Sequence, residues 1–119
     1  TGKSSSMNVP SWQITDDKVQ AAIRRLAEVA RPVSIILFGS YVKDQAGPNS
    51  DLDILVVAED SLESCRRESV RLRKALRGIL MPMDILVVRS RELEELAEVP
   101  GLIYSTILKE GKVVYERAA

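Results

Sequence analysis

Residues Val33 to Val57 read VSIILFGSYVKDQAGPNSDLDILVV. Two apolar runs flank a polar connector, and their junctions carry the chemistry. Val33 to Phe38 is short, apolar and rich in β-branched residues, the pattern of a buried strand. Gly39 lets the backbone turn and approach a ligand with no Cβ in the way. Ser40 follows where a helical turn can start, as an N-cap hydroxyl beside free N–H groups that attract phosphate. Asp51 and Asp53 lie two residues apart at the entry to the second run, so their side chains share a face while Leu52 points away. Carboxylates held together repel unless a cation lies between them, and Mg²⁺ prefers such oxygen ligands. Alternatively, Asp51 ends a turn and Asp53 is an edge residue. A lone carboxylate buried in an apolar strand is costly, however, and a metal removes that cost.

Gly39-Ser40, ten intervening residues and Asp51-x-Asp53, with Phe38 before and Ile54 to Val57 after, resemble the minimal nucleotidyltransferases of the polymerase-β superfamily. The resemblance covers roughly Val33 to Val88. It implies a polymerase-β-like palm in which the Gly-Ser pair contacts a triphosphate and three acids hold two Mg²⁺ ions. The acids would be Asp51, Asp53 and a third on a later strand. Asp84 opens such a strand, and DILVV recurs at 53–57 and 84–88. Asp84 is read as metal ligand or base, against an isolated, partly exposed aspartate. The family's connector often carries two arginines. Here Tyr41 replaces the first and Lys43 stands for the second, so Lys43 is either a phosphate ligand or a solvated lysine.

At 119 residues the chain fits one domain, expected over residues 11–117 after a flexible tail at 1–10. Thr1 to Ser6 reads as a cloning remnant, and Gly2-Lys3-Ser4 lacks the glycine and strand that a P-loop needs. Lys plus Arg and Asp plus Glu number 17 each, and this zero net charge argues against general coating of nucleic acid. No apolar run approaches the ~20 residues of a membrane span, and no secretory signal is visible. A single cysteine, Cys65, fits a reducing cytoplasm and reads as a small core hydrophobe rather than a nucleophile. With no histidine in the chain, acid–base and metal chemistry fall to carboxylates.

Around this centre the sequence predicts a helix from Thr15 to Arg31-Pro32, capped by the Thr15 hydroxyl and started by Asp16 and Asp17. A turn is expected at Gly47 to Ser50. Asp60 to Glu63 resembles a capping box for a helix running to about Ile79. That helix exposes Arg66, Arg67, Arg71, Arg73, Lys74 and Arg77, as a solvated face partly paired with Glu63 and Glu68, or as a docking surface for an acidic partner or RNA. Strand Met83 to Val88, helices at Ser90–Val99 and Leu102–Lys109, and a strand at Val113–Tyr115 complete the order. Trp12, Tyr104 and Tyr115 read as packing residues.

The fold class expected is α/β (α+β), a small mixed sheet with helices mainly on one face. The resemblance implies Mg²⁺-dependent transfer of a nucleoside monophosphate, AMP from ATP, to a hydroxyl acceptor. Minimal nucleotidyltransferases are often antitoxins that modify a HEPN-domain toxin, so such a partner is expected. A homo-oligomer is also allowed. One competing reading is a non-catalytic module that neutralises or scaffolds a partner by docking. A weaker one is nucleotide transfer to a small molecule such as an aminoglycoside.

Overall fold

The computed structural model describes residues 14–39, 41–42, 51–79 and 81–117. The expectations for the tail, Trp12, Ser40, Lys43 and the turn at Gly47 to Ser50 lie outside the described residues. Helix α1 (Asp16–Ala30) begins as the sequence predicts, the Lys18 N–H donating to the Thr15 hydroxyl at 3.3 Å. It ends at Arg31, whose left-handed backbone (φ 46°) returns its N–H to the Ala27 carbonyl. Pro32 then forbids another turn.

Strand β1 (Ser34–Phe38) pairs antiparallel with β2 (Leu52–Ala58), setting Phe38 opposite Asp53. Helix α2 (Cys65–Ala75) carries the chain back, so that β3 (Met83–Arg89) runs parallel to β2, with Asp53 beside Asp84 and Val57 beside Val88. Parallel neighbours need such a crossover because a tight turn can only reverse the chain. Helices α3 (Ser90–Ala97) and α4 (Ile103–Glu110) precede β4 (Lys112–Glu116), which pairs antiparallel with β1. The sheet order is β3-β2-β1-β4.

Alternation along the strands divides the core in two. One face carries Ile35, Leu37, Ile54, Val56 and Ile85, packed under Val19, Ile23 and Leu26 of α1 and Leu72 and Leu76 of α2. The other carries Ile36, Phe38, Leu55, Val57 and Val88 with Leu93 of α3 and Ile107 of α4. The two longer helices therefore share one face, as the sequence suggests, and two short ones cover part of the other. Asp53 and Asp84 belong by alternation to this second face. They sit at the entry of β2 and β3, whereas α3 departs from the opposite end of β3.

Two local readings change. The cap of α2 is Ser64, whose hydroxyl accepts from the Arg67 N–H at 3.2 Å, and not Asp60. The Asp60 carboxylate instead accepts from the Arg91 N–H in the first turn of α3, at 2.8 Å. An acid suits either helix start, and the sheet brings the second one closer. The regular helix also stops at Ala75, because Gly78 takes φ +96° just beyond it. No helix among the described residues is long and apolar enough to cross a membrane.

Candidate active site

The site is built where β1 ends and where β2 and β3 begin. Gly39 terminates β1 with φ +84°, a conformation that side chains rarely adopt. A Cβ at Gly39 would overlap Asp53 Oδ2. Glycine is thus required twice, once for the turn and once for the space the carboxylate occupies.

Asp53 and Asp84 are direct neighbours on parallel strands. Asp51 precedes β2 and is exposed. Partial burial pushes the Asp53 carboxyl above its ordinary value, and the charges of Asp84 and then Asp51 push it the same way. Asp53 therefore senses the charge of both other carboxylates. Asp84 also has a cation: Arg73 Nη2 donates to Asp84 Oδ1 at 2.9 Å, with the two side chains 56% and 55% exposed. Arg73 comes from the last turn of α2 and reaches the entry of the edge strand β3. An open hollow of about 370 Å³ adjoins Asp51, lined by it and Arg73 with Leu76, Met81 and Ile85. That is the size range of small-molecule clefts.

The donor set suits a hard divalent cation, since it offers carboxylate oxygens alone and their mutual repulsion is what such a cation relieves. Among the described residues no three acids converge to ligating distance in this conformation. Asp84 Oδ1 is committed to Arg73, and Asp51 lies outside the strand.

The connector that follows Gly39 departs from the phosphate-binding pattern in a defined way. The Tyr41 hydroxyl donates to Asp16 Oδ1 at 2.8 Å and so ties the turn to the start of α1. Burial, then that hydrogen bond and the Asp16 charge, raise its pKa. Cys65 is half-buried, and its thiol is pushed up chiefly by burial, the opposite of what activates a nucleophile. Tyr104 and Tyr115 are partly buried against the two cores, as read.

The sequence places Arg73 among six cations on one helix and singles out none of them. A signal was present, however. Arg73 lies eleven residues before Asp84, and a helix antiparallel to the next strand brings its last-turn cations to that strand's entry.

Among solved structures, a nucleotidyltransferase candidate from Sulfolobus solfataricus superposes with a TM-score of 0.60 at 16% identity, covering 85% of this chain and 79% of its own. A toxin–antitoxin with AMP-PNP gives 0.53 at 23% identity, covering 87% of this chain and 75% of its own. A mutant of the toxin–antitoxin MntA-HpeT gives 0.54 at 24%, covering 88% and 75%. No curated protein matches the chain. These superpositions establish a nucleotidyltransferase fold. The family model "Polymerase beta, Nucleotidyltransferase" matches residues 20–119, and the chain belongs to that family. Its members generally use divalent metal ions. The likeness seen at Gly39-Ser40 and Asp51-x-Asp53 is thus borne out at the level of the family.

Proposed function

We propose that this protein transfers AMP from ATP to a hydroxyl group on a protein, releasing pyrophosphate, and that it acts as the cytoplasmic antitoxin of a HEPN-type toxin. The observation that carries the reading is the in-register pair Asp53–Asp84 at the entry of parallel strands, with Asp53 seated over Gly39. Family membership supports the class of reaction. The two structural neighbours described as toxin–antitoxins support the biological setting, and the AMP-PNP in one of them supports an adenine nucleotide.

Asp51, Asp53 and Asp84 would hold two Mg²⁺ ions. When bound, these supply neutralisation of the triphosphate and a lowered pKa for the attacking hydroxyl. Asp53 would be the main ligand, because its carboxylate is partly buried and repelled by both of the others, and so gains most from a cation. Asp84 stands at the open edge, where it can also accept the proton of the incoming hydroxyl. Gly39 keeps the approach to the backbone clear, and Ser40 and Lys43 complete the contacts to the phosphates. Catalysis is then mostly placement and charge neutralisation, since phosphoryl transfer asks little covalent chemistry of the protein.

The test is incubation of the purified protein with ATP radiolabelled at the α-phosphate, Mg²⁺ and a candidate HEPN-type toxin. Label should pass to the toxin and be lost with Asp53→Ala. A toxin that binds tightly but stays unlabelled would replace this reading with the non-catalytic docking module.

A further inference from the structure

We infer that Arg73 is a resident counter-cation of the acid cluster, occupying Asp84 until a divalent ion displaces it. The inference rests on the reading of the three acids as a metal site. Two observations carry it. Arg73 Nη2 lies 2.9 Å from Asp84 Oδ1, and that pair joins α2 to the very strand that supplies the acid. Arg73 also lines the same hollow as Asp51, so one residue borders Asp51's hollow and pairs with Asp84.

A guanidinium can neutralise a carboxylate but cannot gather several at once as a small divalent ion does. While Arg73 holds Asp84, one oxygen of the cluster is taken. Both partners are more than half exposed. The arginine can therefore swing away at little cost when a stronger cation arrives, because exposed ion pairs are weak. Once free, its planar fork is suited to phosphate oxygens and lies beside the same hollow.

The test is Mn²⁺ binding to the full chain without nucleotide, followed by electron paramagnetic resonance at low salt, where exposed charge pairs are least screened. Arg73→Gln keeps length and removes charge, and Arg73→Ala provides a second variant. Lys74→Gln, exposed on the same helix, makes the same change of charge without the ion pair. Both Arg73 variants should bind Mn²⁺ about two- to five-fold more tightly than the parent, the range an exposed ion pair spans, and Lys74→Gln should not. Equal tightening in Lys74→Gln, or none in the Arg73 variants, overturns the inference and leaves the metal site standing. Mn²⁺ binding that is unaffected by Asp53→Asn overturns the metal site itself, and this inference with it.

Discussion

The chain writes DILVV twice, at 53–57 and 84–88, and the fold lays the two copies side by side in register. Their surroundings differ. In β2 the four apolar residues are all buried; in β3 only Ile85 and Val88 are, and Asp84 is exposed where Asp53 is not. The cause is place in the sheet, since β2 has a strand on each side and β3 is an edge. The same five side chains thus make a core element in one copy and a rim in the other. The central acid is squeezed by burial and by its neighbours, and the edge acid stays reachable by a helix arginine and by solvent. An acid that must stay put and an acid that must exchange partners call for these two environments.

The comparison breaks most visibly in activity. Asp53→Asn should lower nucleotidyl transfer by ~10³-fold or more, as expected when several kcal/mol of charge stabilisation is lost. Asp84→Asn should lower it less, by ~10², because its edge position leaves water able to substitute. An active Asp53→Asn beside a dead Asp84→Asn would reverse the assignment of centre and rim. Stability should divide the same way at the matched leucines. Leu55 is fully buried, so Leu55→Ala should cost about 3–5 kcal/mol in urea unfolding. Leu86, only partly buried, should cost about 1–2 kcal/mol. Equal losses would mean that the edge is covered in solution.

Gly39 sharpens the central half of the comparison. Gly39→Ala must adopt a left-handed backbone, at about 1–2 kcal/mol, and must also move the Asp53 carboxylate. Adding Asp53→Ala removes the overlapping oxygen and leaves the Asp53 Cβ at an ordinary 3.5 Å from the new methyl. The double variant should therefore unfold later than the sum of the single changes predicts, a coupling of about 0.5 kcal/mol or more. Simple additivity would show that the two residues do not meet.

The sequence disclosed these elements unevenly, for physical reasons. The strands follow from a two-residue period, a local property, whereas the alignment of Asp53 with Asp84 depends on the register of two strands joined through a helix. The long helices on one face follow from single apolar stripes. Which cation of α2 meets Asp84 depends on where that helix stops, and it stops at Ala75 rather than near Ile79. Asp60 satisfies one helix start in the sequence and another in space, because its partner lies 31 residues on. The cover that α3 and α4 give the second face was not legible either. A short amphipathic helix shows that it docks and leaves open on which side of a sheet.

The smallest expected effect concerns charge alone. The Asp53 carboxyl titrates above its ordinary value in the folded chain. The folded state therefore holds this proton more tightly than the unfolded chain does. As pH rises from the ordinary aspartate value through the folded one, the unfolded chain ionises first and the fold loses stability. Below the ordinary value both states are protonated and the penalty is absent. Asp53→Asn should accordingly be the more stable protein at pH 7, by a margin reduced by the solvent that still reaches this half-buried group, and the margin should vanish near pH 3. Urea midpoints at the two pH values measure it. The same substitution at Asp84 should give a smaller gain, since it relieves the repulsion on Asp53 but also loses the pair with Arg73 at 2.9 Å. A matching gain at Asp84 would show that the arginine leaves that acid in solution and that the two DILVV strands meet equivalent fields.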